Sequence, residues 1–218
     1  MPTRFVCLAN SYKEGGRCVA GIELDHDNNP KTKNGNPKWI RPICNTLHGE
    51  IPTDLVAQLN LLDIIEIETT DFPEEKNYQS ENIYFSEDSI KVVGRLDSEK
   101  LQSLLDNRRL IFDSRGKAMS EEFVESLSYS LMFIKTNDFQ IISKNQDERS
   151  KKPQVRMLIC YHQNEYDLPV TDPVFLHKYQ VNRNFIHQYN EANLCVSVSI
   201  PWNNWHYKLI AGIILKKV

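Results

Sequence analysis

Short apolar runs separated by turn-forming residues dominate this chain, a pattern that predicts many strands and few helices. Residues 4–9, 17–25, 38–43, 61–69, 83–85 and 90–93 read as strands, with a short helical turn over 53–59. Pro42 places the end of the third run at a sheet edge, because proline lacks the N–H that a ladder needs. The polar stretch 26–37 carries Asn34-Gly35, a turn signal. A helical interval follows. Asp97 is a candidate N-cap ahead of Leu101, Leu104 and Leu105, and Ser120 ahead of Phe123, Val124 and Leu127. Strands return over 131–135, 139–143, 155–162 and 165–170, with Asn164 at a hairpin turn and a charged, exposed loop over 145–153. Asp172-Pro173 then opens a helix to about residue 191, and strands 194–200 and 207–216 end the pattern.

Two phrases mirror each other across this layout. Arg17-Cys18-Val19-Ala20-Gly21-Ile22 and Lys208-Leu209-Ile210-Ala211-Gly212-Ile213 each place Ala-Gly inside an apolar strand behind a cation. Glycine weakens a strand interior, so its presence there marks a bulge or a bend of a small barrel. The fold class is therefore mainly β with some α. Two related barrels are expected, over 1–95 and 129–218, joined by a short helical connector over 96–128.

Composition narrows the picture. Formal net charge is −3 over 218 residues, which excludes a generic polyanion coat. Its distribution is uneven: residues 1–95 hold 10 Lys and Arg against 15 Asp and Glu, whereas 129–218 hold 11 against 7. A polyanion would prefer the C-terminal part. No apolar run has the length of a bilayer span, and the N-terminus lacks a signal-peptide pattern, so a cytoplasmic protein without membrane contact is expected. Cys7, Cys18, Cys44, Cys160 and Cys195 show no clustered spacing, so reduced thiols and no bound metal are expected.

An ordered set of phrases spans nearly the whole chain. Leu8-Ala9-Asn10-Ser11 precedes Gly15-Gly16-Arg17-Cys18-Val19-Ala20-Gly21. Then come Lys38-Trp39-Ile40-Arg41-Pro42-Ile43, Gln79-Ser80-Glu81-Asn82, Leu168-Pro169-Val170-Thr171-Asp172-Pro173, Leu194-Cys195-Val196-Ser197 and Tyr207-Lys208-Leu209-Ile210-Ala211-Gly212. This set resembles the dual OB-containing domain family of prokaryotes. The resemblance implies two OB-like barrels and nucleic-acid binding, often beside defence or mobile-element genes. It brings no catalytic motif and no cofactor. The insert 26–37 departs from the family pattern.

Two constellations carry the candidate chemistry. Arg17, Lys38, Trp39 and Arg41 lie on strands expected to be neighbours, and alternation puts Trp39 and Arg41 on one face. An indole beside a guanidinium stacks a base and holds a phosphate. The same residues equally fit a packed Trp39 with solvated cations around it. The second set, Trp202, Asn204, Trp205, His206 and Lys208, reads as a polar hairpin loop crowded with rings, suited to stacking bases and bonding their edges. Gly15-Gly16 lacks the ending of a phosphate-binding loop and reads as a plain turn. Asp63, Glu66 and Glu68 lack the lysine of a nuclease site, and six scattered histidines assemble no catalytic set. The leading expectation is a non-enzymatic module that binds single-stranded or structured nucleic acid within a defence-type assembly. Its rivals are an adaptor that grips a protein through its OB surfaces, and a sensor or enzyme for a small nucleotide.

Overall fold

A computed structural model describes residues 2–73, 77–144 and 153–217. The loop expected over 145–153 lies outside the described residues except for Pro153. In the N-terminal half, strands β1 (Pro2–Lys13) and β2 (Gly16–Glu23) form a hairpin. The insert folds back as a small ribbon, β3 (Thr32–Lys33) and β4 (Asn36–Pro37), turned by Asn34 and Gly35, both at positive φ. Strand β5 (Trp39–Ile43), helix α1 (Thr53–Val56), β6 (Asp63–Asp71), β7 (Asn82–Phe85) and β8 (Lys91–Arg95) complete this half.

The order β1-β2-β5-β7-β6 returns to β1, so five strands close into a barrel, with β8 added on β6. Every pairing in that ring is antiparallel except β5 with β7. Pro42 is tolerated inside the ring. Arg41 N–H donates to the Glu81 carbonyl on the β7 side, and the ladder to β2 has already ended at Ile40. The missing donor therefore faces a gap, and β5 is not an edge strand.

Asp97 caps a 3₁₀ turn over Ser98–Leu104, accepting a bond from Glu99 N at 2.9 Å. A second 3₁₀ turn spans Ile111–Asp113, followed by strand β9 (Ala118–Ser120) and helix α2 (Glu121–Glu125), which Ser120 caps. This stretch is thus not wholly helical: β9 pairs with the last strand of the chain.

The C-terminal half repeats the strand order as a half-barrel of two sheets. Strands β10 (Leu131–Thr136) and β11 (Phe139–Lys144) form one long bent strand. Thr136 Oγ1 holds the bend, within reach of the Asp138 and Cys160 carbonyls at 3.0 and 2.8 Å. β11 pairs with β12 (Gln154–Tyr161), and β12 with β13 (Asn164–Pro169). Helix α3 (Pro173–Val181), β14 (Glu191–Val198) and β15 (Trp205–Lys216) follow. β15 pairs with β14, β14 with β10, and a parallel bridge Val170–Ile210 links β13 to β15. Both halves therefore place a helix between their third and fourth strands and a parallel contact between the third and fifth. The hairpin turn before β13 is His162-Gln163, both at positive φ, and Asn164 already belongs to the strand. The helix after Pro173 stops at Val181. Asn182 turns extended there and caps a new 3₁₀ turn over Arg183–Gln188.

Three apolar clusters hold the molecule. One fills the first barrel, around Phe5, Ile40, Ile65 and Ile83. Another fills the second, around Phe112, Met132, Leu168 and Leu194. The third is the seam between them, where Leu8, Ala20 and Trp39 of the first barrel meet Phe133, Cys195 and Ala211 of the second. Each Ala-Gly phrase sits at a bulge. Leu8 is skipped in the β1–β2 ladder opposite Ala20 and Gly21, and Ala211 is skipped between β14 and β15. A Cβ on Gly212 would stand 2.0 Å from the Leu8 carbonyl oxygen, so only glycine lets β15 approach β1 this closely.

Candidate nucleic-acid interface

The stretch read as a loop over Trp202–His206 is a tight hairpin whose second arm is already strand. Trp202 and Trp205 exchange backbone bonds of 2.8 and 3.0 Å around Asn203 and Asn204, both at positive φ. Alternation then decides which side chains reach solvent. Trp202 and Trp205 are 67% and 47% exposed, Asn204 is exposed, and Tyr207 lies with its ring 6.4 Å from that of Trp202. His206 and Lys208 point the other way.

His206 and Lys208 are therefore not surface contacts, contrary to the expectation from their spacing. His206 packs edge-on against Tyr78, and its Nδ1 lies 2.8 Å from the Ser199 carbonyl. Lys208 has no exposed surface. Its Nζ donates to the Ser114 carbonyl and lies 4.9 Å from the centre of the Tyr166 ring. Burial lowers its pKa from the ordinary lysine value to about 7. A half-neutral, enclosed amine is no counterion for a phosphate backbone.

The first constellation is also largely enclosed. β5 has the barrel interior on one side, where Ile40 packs, and the second barrel on the other, where Trp39 and Arg41 are buried. Arg41 donates through Nη2 to Glu81 at 2.8 Å and to Ser130 Oγ at 2.7 Å, and through Nη1 to Asn82 at 3.3 Å. It ties the two barrels together. Lys38 is paired with Glu23 at 2.5 Å, and the Arg17 guanidinium lies over the Tyr12 ring at 4.7 Å. Of the nine residues singled out, the structure leaves Trp202, Asn204 and Trp205 together on a free surface.

That hairpin overhangs a cleft of about 430 Å³. Its lining includes Lys117, Gln154 and Arg156, with Pro169, Ile200 and Tyr207. Lys117 is exposed and makes no ion pair among the described residues. Arg156 is held in place by Asp167, at 2.6 Å from both its carboxylate and its carbonyl. In an OB barrel, oligonucleotides lie on the second and third strands between the first and last connecting loops. Here those strands are β12 and β13, and the last loop carries Trp202. Lys117 and Arg156 escape a reading of sequence spacing because they reach the cleft only through the β9–β15 and β12–β13 pairings.

Other candidates are accounted for locally. Asp63 pairs with Arg95 at 2.8 Å, and Glu66 pairs with Arg4 and Lys91, both at 2.7 Å. Asp172 accepts bonds from Val174, Phe175 and Ile213 N–H, and burial pushes its carboxyl up despite them. All five cysteines are free thiols. No helix among the described residues is long and apolar enough to cross a membrane.

One closed five-stranded ring and a second, half-closed set of strands in the same order, each with a helix ahead of the fourth strand, define a protein of two OB-like domains. A family model described as "Dual OB-containing domain" matches residues 3–213, and the chain belongs to that family. No curated protein matches the sequence. A solved chain from work described as "Molecular basis for abrogation of activation of pro-inflammatory cytokines" aligns over 99% of this chain and 92% of its own. It does so at 9% identity and a TM-score of 0.33.

Proposed function

We infer that the chain is a non-enzymatic nucleic-acid-binding module whose contact surface is the Trp202–Trp205 hairpin and the cleft beneath it. One observation carries this reading. Two indoles stand exposed on a backbone-locked hairpin, beside a lysine unpaired among the described residues and an oriented arginine, at the loop where OB barrels take strands. Rings carried on a hairpin whose backbone is already held give bases a stacking platform. The more basic balance of residues 129–218 favours the same side of the molecule. A cytoplasmic location belongs to this reading, and a defence-type setting rests on the family resemblance.

The test is titration of labelled single strands, DNA and RNA, against the parent and two variants. Stacking is worth ~1–3 kcal/mol per base. Trp205→Ala should therefore weaken binding roughly ten-fold, at unchanged thermal stability. Lys117→Ala should lower the slope of log affinity against log salt by about one unit or less. Absence of binding by the parent at low salt would sink the reading, and the exposed indoles would then point to a protein partner.

A further inference from the structure

A second cavity, of about 180 Å³, opens beside the cleft at the seam between the barrels. The two share Glu14, Ser199, Ile200 and Leu209 in their linings, so they lie side by side. Its volume is several times the ~30 Å³ that one water takes in the liquid, which is room for a phosphate group.

The donors around this cavity are out of balance with its acceptors. Arg41 lines it, is 2% exposed, and has a buried Nε with no partner, although its other nitrogens are bonded. A buried, unpaired guanidinium N–H is costly unless something accepts from it. Lys13 lines the same space, half-buried, with no hydrogen bond or ion pair from its ammonium among the described residues. Burial lowers its pKa against the pull of Cys18, and the Arg41 charge pushes the same way as burial, while the Glu50 and Glu14 carboxylates push back. Ser11 is buried without a side-chain bond, and Gln79 uses only its carbonyl, which accepts from Asn82 at 3.1 Å. The hydroxyls of Thr171 and Ser199 already donate to the carbonyls of Ile210 and Ile200. Glu14 is the one carboxylate in the lining, and it stands exposed on the β1–β2 turn. Two cations and two neutral donors thus converge where the described chain offers no buried anion beyond the Glu81 already paired with Arg41.

We propose that this seam cavity receives a phosphate monoester, the terminal phosphate of a nucleic-acid strand whose bases lie on Trp202 and Trp205. The inference rests on the nucleic-acid reading above for its source of phosphate, and on Lys13, Arg41, Ser11 and Gln79 for its chemistry. A terminal monoester carries up to two charges and three free oxygens, which matches a set of converging donors better than an internal diester does.

The experiment compares one oligonucleotide sequence bearing a 5′-phosphate, a 3′-phosphate or neither, with inorganic phosphate as a separate probe of thermal stability. The phosphorylated strand of one polarity should bind roughly ten-fold tighter than the unphosphorylated strand. Lys13→Gln should erase that difference while leaving the affinity for the unphosphorylated strand unchanged, and Lys13→Arg should keep most of it. Inorganic phosphate should raise the melting temperature of the parent but not of Lys13→Gln. Equal affinity for all three strands overturns the phosphate site and leaves the stacking surface standing. Binding of no strand overturns the stacking surface. In that case a melting shift by inorganic phosphate that needs Lys13 keeps the cavity as a site for a small free phosphate ester, and no shift overturns it as well.

Discussion

Lys208 spends its charge to sit beneath the interface instead of on it. Its amine sheds a proton near pH 7 in the folded protein, whereas the unfolded chain holds that proton to the ordinary value of 10.5. Between those limits the unfolded state binds more protons, so unfolding free energy rises with pH, by up to ~1.4 kcal/mol per unit. Urea midpoints of the parent should therefore climb from pH 7 to pH 9. In Lys208→Met, which keeps the buried stem and removes the titrating group, that climb should vanish; a parallel climb in both proteins would contradict it. The sequence already held the signal. Trp205-His206-Tyr207-Lys208 alternates, and a strand beginning at Trp205 buries the second and fourth residues of that set. Placing the strand start at Tyr207 hides the alternation and promotes Lys208 to the surface.

At the scale of elements, most strands were legible because their apolar runs end at Gly, Pro or Asn. The capped turns were legible because Asp97, Ser120 and Asp172 each precede an apolar face. The two Ala-Gly phrases were legible as bulges, but not the β1 backbone that each glycine packs against, since one strand's sequence says nothing about which other backbone lies against it. The close approach of Gly212 to the β1 backbone makes a sharp prediction. Gly212→Ala drives a methyl into the Leu8 carbonyl and should cost at least ~1–3 kcal/mol, the scale of overpacking. Gly94→Ala is the control. Its Cβ would meet only Ile64 side-chain atoms, the nearer at 3.6 Å, on the exposed strand β8, so the change should stay within ~0.5 kcal/mol. Chemical denaturation of the two variants decides the matter, and equal midpoints would refute the close-approach argument. The burial of Trp39 and Arg41 was illegible for the same reason as the glycine contact. Alternation paired them on one face correctly, but only the second barrel turns that face inward.

For the whole molecule, the seam sets the cooperativity. The central apolar cluster draws residues from both barrels, and the Arg41–Glu81 pair reaches across to Ser130. Calorimetry should show one transition whose calorimetric and van't Hoff enthalpies agree. Two resolved transitions would mean that the barrels are independent. Glu81→Ala strands the buried Arg41 charge and should cost ~3–5 kcal/mol. Its effect should fall on that single transition as a whole, not on a first half of it. Removing Arg4, whose partner Glu66 sits at the surface, should shift it little, because exposed pairs contribute ~0–1 kcal/mol.

The shared face also governs how this chain can be handled genetically. A gene fragment ending after Arg95 would leave Leu8, Ala9 and Ala20 open to solvent, and one starting at Leu96, which keeps Phe112 and β9 with the second barrel, would do the same to Phe133 and Ala211. Each fragment would carry an apolar patch of the kind that drives precipitation in a lone product. Co-expressed, the two patches would find each other. The protein is thus suited to complementation by halves, with the junction between Arg95 and Leu96 as the point of cleavage and recovery of strand binding as the sign that the halves have reunited.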